Sequence, residues 1–344
     1  MSILVEDGGI LTSVQDGGRY GSEQYGVYPS GPMDERSFHI ANLLVGNEER
    51  EACLEITISG PRLKFTEAAV IAVTGGNFQP TVNGSPCLMY QAVPVSAGDV
   101  LSIGFARTGC RAYLAVAGGF DLPLLMGSRA TLLKYGVGGY KGRKLAAGDE
   151  LRLRNSAAAL DNMPSRRTAA ENFGGGVHRV RVIMGPQEEA FTEEGIRTFL
   201  GSTYTVGQES DRMGYRLGGP KIAHKTDGNI ISDGIVMGSV QVPTAGEPIV
   251  MMADHPTVGG YTKIATAASA DLPLVGQCRP GDKIRFEAVS VEAAQELYLA
   301  ERGKLDALRQ KIATPVTYLR PRYYTVGVNN TVFSLKVEEY TRND

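Results

Sequence analysis

Apolar residues in this chain come in short runs. VIAVTGG (70–76), VLSIGFA (100–106) and RAYLAVAGG (111–119) are aliphatic and β-branched stretches bounded by Gly or Pro, the pattern of buried strands. Asn83-Gly84 predicts a type I′ hairpin turn. Helical spacing in this half is confined to Met33 to Val45, where Phe38, Ala41 and Val45 share a face, Pro32 suits the first turn and Gly46 supplies a left-handed stop. Further on, VRVIMGPQ (180–187) reads as a strand entering a turn. FTEEGIRTFLGS (191–202) predicts a short helix capped by Thr192 and ended at Gly201. Strand patterns resume at 229–243 and 247–254. A last helix is expected over 291–312, with Leu297, Leu305, Leu308 and Ile312 at helical spacing and Gly303 weakening its middle.

One local pattern occurs three times: Gly98-Asp99, Gly148-Asp149 and Gly281-Asp282 each precede an alternating strand. In each, Gly takes the turn and Asp is expected to bond the backbone that follows. Occurrence in both halves suggests two related β-barrel units. The clearest break in pattern is Asn155 to His178, rich in Ala, Gly and small polar residues with no apolar period, which reads as a linker. The expected architecture is mainly β (α+β), with a first unit over 1–154, a linker over 155–178, a second unit over 179–288 and a helix-and-hairpin extension over 289–344. The hairpin is expected to turn at Asn329 and Asn330.

Composition fits that picture. The 344 residues predict about two domains at roughly 150 residues each, and 43 glycines imply many tight turns. A formal charge of −2 gives no footprint for nucleic acid or an anionic membrane. Cys53, Cys87, Cys110 and Cys278 form no CxxC pair, and His39, His178, His224 and His255 form no helical HxxxH pair, so no metal is expected and the thiols are expected to be reduced. Neither a secretory leader nor an apolar span of about 18 residues is present, and a cytoplasmic location is expected.

Nucleophile-elbow and P-loop motifs are absent. Three polar constellations stand out instead. Lys134 to Lys144, KYGVGGYKGRK, combines four glycines with cations and could hold a phosphate or carboxylate, although on the residues alone a solvated hairpin loop is the favoured reading. Ser13 to Asp34 gathers Gln15, Asp16, Arg19 and Asp34 among glycines and tyrosines. Asp16 and Arg19 there either meet a ligand or brace the loop as an ion pair. The third constellation holds Ser210, Asp211, Arg212, Ser232, Asp233, Gln241 and Asp254 at strand ends. A carboxylate beside an arginine can orient or deprotonate a small amide; alternatively Asp211 and Asp233 cap turns.

At these residues the chain resembles a known family. TSVQDGGRYG (12–21), SGPMD (30–34), LEITISGP (54–61), GVGGYKGRKLAAGD (136–149), SDRMGYRLGGP (210–220), ISDGIVMGSVQVP (231–243) and GGYTKIAT (259–266) are similar to the KipA/PxpC family, the C subunit of bacterial ATP-dependent 5-oxoprolinase, also grouped with biotin-dependent carboxyltransferases and labelled allophanate hydrolase subunit 2. The resemblance implies two cyclophilin-like β-barrel units. It implies opening of 5-oxo-L-proline to L-glutamate with ATP, accompanied by Mg2+, at a site that a partner can share. The implied partners are a KipI/PxpB-like protein and a lactam-utilisation, PxpA-like protein, the B and A subunits of that enzyme. On this reading Asp211, Arg212, Asp233 and Asp254 are the catalytic candidates. Gln15, Asp16, Arg19, Asp34, Ser210, Ser232, Gln241 and Tyr261 are the substrate-binding ones, and Gly138, Gly139, Lys141 and Arg143 hold phosphate. Alternatives are the carboxyltransferase component of a urea or amide carboxylase, with biotin carried by another polypeptide because no AMKM motif occurs here, or a KipI-binding antagonist that relieves inhibition of a sensor kinase. The chain departs from the family pattern at Pro32, Met237 and His255-Pro256, and His255 offers an acid or base near neutral pH.

Overall fold

In the computed structural model, residues 2–318, 321–328, 331–337 and 339–342 are described. The chain is mostly β with four α-helices, as the apolar runs predict. Eleven strands between Ser2 and Arg152 form two sheets. One is six-stranded and built on Ser2–Asp7, Arg62–Phe65 and Val100–Ser102; the other is five-stranded, in the order Leu11–Gln15, Cys53–Thr57, Thr108–Val116, Ala69–Asn77, Ala92–Val95. Their facing side chains share one core, with Ile3, Leu63, Phe65 and Leu101 from the first sheet against Val14, Ile56, Val73 and Leu114 from the second. Asn83 and Gly84 take the positive φ values, 51° and 80°, that their hairpin needs.

The second half forms one eight-stranded sheet. Because Val177–Met184 pairs with both Lys283–Ala288 and Val258–Ala267, seven of its strands close into a ring, with Asn229–Gly234 outside it. The ring encloses a core that includes Val180, Phe199, Tyr204, Val240, Ile264 and Phe286. Helix α1 (Glu35–Leu44) lies on the five-stranded sheet, and α2 (Glu193–Gly201) begins where Thr192 Oγ1 accepts the Gly195 N–H at 2.9 Å. Helix α3 (Leu272–Gly276) sits between the halves. Helix α4 (Val291–Ala313) packs Leu305, Leu308 and Ile312 against the α1 layer of the first half, and Arg302 and Arg309 both reach Glu49. Strands Arg322–Val328 and Thr331–Val337 pair antiparallel; the turn expected at Asn329 and Asn330 lies outside the described residues. No described helix is long and apolar enough to cross a membrane.

The three Gly-Asp turns are one structure repeated. Their glycines have φ of 89°, 88° and 96°. Each Asp carboxylate reaches back three residues rather than forward, accepting the N–H of Ser96 (2.7 Å), Ala146 (2.8 Å) or Arg279 (2.7 Å). Each Gly N–H donates, at 2.8 Å, to the carbonyl of a neighbouring strand end, Phe65, Val5 or Val206, and that same residue's N–H returns to the Asp carbonyl at 2.8–2.9 Å. The backward bond follows from the turn's direction, since the left-handed Gly folds the Asp side chain over the first residue of the turn.

Candidate active site

A buried polar network joins the two halves. Strand Cys53–Thr57 is buried on both faces, so Glu55, opposite Tyr113 in register, points away from the first core and toward the second half. Glu55 Oε2 accepts the Met33 N–H (2.9 Å) and the Tyr113 hydroxyl (2.7 Å), and Oε1 accepts Nη1 of Arg212. Arg212 also makes a two-pronged pair with Asp254, at 2.9 Å on each prong, and donates to the Gly31 carbonyl at 2.7 Å. Beside this, Arg111 Nη1 meets the Tyr215 hydroxyl and the Gly276 carbonyl, both at 2.5 Å. Gln277 accepts the Cys110 and Arg111 N–H groups and donates to Asp34 at 2.8 Å. Burial alone would raise Glu55, but Arg212 and Arg111 hold its carboxyl below the usual value.

That shift has a stability consequence with a defined sign. A carboxylate held low in the folded state stabilises it above the unfolded value of about 4.3, and the contribution fades as pH falls through the folded value. The destabilisation caused by Glu55→Gln will therefore be largest near about pH 7 and shrink below about pH 4. Urea denaturation of both proteins across that range checks it, and a pH-independent difference would refute it.

The structure sorts the candidates predicted from sequence. Arg212 and Asp254 come together, and the loop holding Gln15, Asp16, Arg19 and Asp34 is drawn onto them through Gly31. The polar anchors of that loop are buried, although its tip around Tyr20 to Gly26 is largely exposed: Gln15 is 0 %, Arg19 1 % and Asp34 0 % exposed. Asp34 is the N-cap of α1, fully buried and bonded to Ser37 N, Ser37 Oγ and Gln277 Nε2, a structural role. Asp16 braces the loop by accepting Gly18 N (3.0 Å), Ser128 Oγ (2.6 Å) and Arg129 N. Gln15 spans from Thr131 O to the Gly31 N–H. Asp211 is exposed and its Oδ1 accepts the Met213 and Gly214 N–H groups, the turn role that the sequence offered as the alternative. Asp233, also exposed, pairs with buried Lys263 at 2.6 Å on the ring's outer edge. Ser232, on the edge strand Asn229–Gly234, and Tyr261, on the ring strand Val258–Ala267, are exposed, whereas Ser210 Oγ and Gln241 Nε2 are buried without partners among the described residues.

Much of the glycine loop's backbone is already bonded within the fold, although the amides of Gly138, Tyr140, Lys141 and Lys144 have no hydrogen bond to any described residue. Its amides at Gly136, Val137, Gly139, Gly142 and Arg143 already donate to backbone carbonyls. Arg143 makes two bonds of 2.6 Å to Asp149, so it is a strut within the second Gly-Asp turn. Gly138 and Gly139 instead permit close packing: a Cβ on Gly138 would lie 2.1 Å from Ala130 O and 2.9 Å from Arg19 Nη2, and one on Gly139 1.8 Å from Thr131 Oγ1. Lys141 remains exposed. His255 is buried rather than free in solvent. It is 4 % exposed with Nδ1 bonded to the Pro256 carbonyl (2.8 Å), and burial lowers its pKa, which keeps it neutral at pH 7.

Arg19 differs from the other buried charges. Nε and Nη2 donate to the carbonyls of Leu125 and Ala130, each at 2.9 Å, while Nη1 is buried with no partner among the described residues. Asp16 and Asp254 lie close enough for their charges to act on it. A buried guanidinium with one unfilled nitrogen and no carboxylate bonded to it is a candidate position for an anionic ligand. Glu55, Arg111, Tyr113, Gln277 and Lys263 escaped the sequence reading. The available signal was a charge inside an otherwise apolar strand, as at Glu55 in CLEIT and Arg111 in RAYLAV.

This two-part β architecture, with its polar seam, is shared. The chain belongs to the carboxyltransferase domain family: the family's pattern, subdomains A and B, matches residues 25–288. It is 38% identical over 286 residues to the 5-oxoprolinase C subunit of Escherichia coli strain K12, covering 83% of this chain and 91% of that one. With the corresponding 5-oxoprolinase chain of Haemophilus influenzae the identity is 34% over 303 residues, 87% of this chain and 94% of that one. The crystal structure of Kluyveromyces lactis urea carboxylase superposes with a TM-score of 0.82 at 36% identity, over 89% of this chain but only 29% of that one.

Proposed function

We propose that this chain is the C subunit of an ATP-dependent 5-oxoprolinase, opening 5-oxo-L-proline to L-glutamate together with two partners, one KipI-like and one of the lactam-utilisation type. The observation that carries the reading is the unfilled Nη1 of buried Arg19 beside the Arg212–Asp254 pair. The lactam carries one carboxylate, which a buried guanidinium holds by charge-assisted hydrogen bonds. Near-complete coverage of two relatives named for this role supports the same substrate.

ATP would supply a phosphoryl group to the lactam carbonyl oxygen, making the ring carbon electrophilic; one water would add there and break the C–N bond with nitrogen leaving as the amine, and a second would release the phosphate, giving glutamate, ADP and phosphate. Five amides of the 136–144 loop are spent internally and Arg143 is paired with Asp149, which weighs against this loop as the whole cradle for the nucleotide's phosphates. Phosphate binding is therefore assigned to the partner proteins or to a surface shared with them. This chain's part is to hold the substrate carboxylate at Arg19 and to keep the seam rigid around it.

Arg19→Gln will lower glutamate formation by the reconstituted three-protein mixture at least about a hundredfold, chiefly through weaker substrate binding, while Arg19→Lys retains an intermediate rate. Unchanged turnover in Arg19→Gln, with the fold intact by circular dichroism, would remove the carboxylate site. Absence of ATP-dependent glutamate formation by the wild-type mixture would remove the 5-oxoprolinase reading itself. The likeness to urea carboxylase favours a second reading, carboxyl transfer from biotin on another polypeptide to a small amide. Exchange of carboxyl groups between free carboxybiotin and urea would establish it.

A further inference from the structure

We infer that His178, Cys278 and Asp282 form a binding site for a divalent transition metal of the zinc class, at the foot of the second barrel. One ligand atom from each, a ring nitrogen, Sγ and a carboxylate oxygen, lies within 4.8 Å of the others. Local spacing in the sequence could not reveal it, since His178 and Cys278 lie far apart along the chain. The parallel pairing of Val177 with Lys283 and of His178 with Ile284 brings the histidine to the Gly281-Asp282 turn, while Cys278 follows closely on α3.

The three equivalent Gly-Asp turns supply an independent observation. In each, one carboxylate oxygen accepts the amide three residues back. The second oxygen has its own donor in two of them: Asn83 Nδ2 on Asp99 at 2.7 Å and Arg143 Nη2 on Asp149 at 2.6 Å. In the third, Asp282 Oδ1 has no hydrogen bond from any described residue, and the groups gathered beside it are an imidazole and a thiol. Nearby Arg279 does not take the donor's role, because its Nη1 reaches the Ala106 carbonyl. A mixed nitrogen, sulfur and oxygen set suits Zn2+ rather than Mg2+ or Ca2+, and three protein ligands leave a fourth position for water or an exogenous group.

Cys278 is held as a neutral thiol in the absence of a cation, because burial, Asp282 and Cys110 all push it up. Metal binding therefore forms the metal–sulfur bond and releases the thiol proton to solvent, without any oxidant or reductant. The site also bears on the seam, since the Cys278 carbonyl accepts the Tyr215 hydroxyl (3.3 Å) and Cys110 Sγ (3.2 Å). Binding there tightens the joint between the halves.

Cobalt(II) is the probe. Titration of the metal-stripped chain with Co2+ is expected to produce a thiolate-to-cobalt charge-transfer band saturating at one equivalent and displaced by Zn2+, with Zn2+ also raising the melting temperature. Cys278→Ser abolishes the band, His178→Ala weakens binding by at least about tenfold, and Cys87→Ser leaves it unchanged. Because His178 is only half-buried, its variant keeps the test usable if Cys278→Ser fails to fold. No band in the wild type, or a band that survives in both Cys278→Ser and His178→Ala, overturns the site. Neither result depends on whether the chain serves 5-oxoprolinase.

Discussion

Arg212→Met destabilises the folded chain by about 3–5 kcal/mol, seen as a large fall in the urea midpoint, and abolishes turnover of any reconstituted complex. Arg212 is 5 % exposed and is the cation between Glu55 and Asp254, whose carboxylates are 1 % and 7 % exposed. Methionine fills most of the volume, so the loss is electrostatic: two buried anions are left with Arg111, its Nε 3.9 Å from Glu55, and the more distant charge of Arg19 acting on Asp254. Cutting one partner from a buried ion network costs far more than the network's net worth, because the remaining charges keep their desolvation penalty without compensation. Arg212→Met combined with Glu55→Gln should consequently cost less than the two single changes added together. A loss under about 1 kcal/mol in the single variant would show that water reaches the seam and screens it.

Gly276→Ala is the second large effect, and here two principles oppose each other. Gly276 is the last residue of α3 and does not need positive φ, so alanine is locally the better helix former by roughly 0.5–1 kcal/mol. A Cβ at this position, however, would sit 2.2 Å from the Met33 carbonyl oxygen and 2.9 Å from its carbon. Those are backbone atoms of the segment that caps α1 and delivers an N–H to Glu55, so they cannot move aside as a flexible side chain does. The clash decides the sign: a net loss of about 1–3 kcal/mol or more is expected, with the seam forced open. Gly303→Ala in α4, where nothing lies within 4 Å, provides the contrast and should stabilise by about 0.5–1 kcal/mol. Equal effects at the two positions would mean that helix propensity, and not the interface, governs both.

The elements that the sequence made legible are those whose signals are local. Thr192 caps its helix, Asn83-Gly84 turns its hairpin, and the apolar runs at 70–76 and 111–119 are central strands. Residue roles at the site were legible only in part, because polarity does not reveal direction. Asp34 and Asp211 have the chemistry of a ligand-binding acid, yet both are spent on backbone amides a few residues away. Arg143 has the chemistry of a phosphate ligand, yet Asp149, six positions on, takes both its prongs. Arg212 and Asp254 were recognisable as candidates, but their third member is Glu55, 157 positions before Arg212, and only the docking of the halves brings it there. Lys263 gave no warning, since an isolated lysine in an alternating strand reads as an outward-facing residue until Asp233 is seen folded over it.

The thrice-used Gly-Asp corner has a consequence for how this molecule tolerates change. Each copy satisfies its own amides and carbonyls within four residues and one strand end, so it needs nothing from the wider chain to hold shape. A self-sufficient corner leaves the rest of the aspartate's bonding capacity at liberty. At Asp99 it fastens a hairpin and at Asp149 it fastens a cationic loop. At Asp282 the same spare oxygen is open to a new task, and the chain can take on that task without unpicking the architecture that positions it.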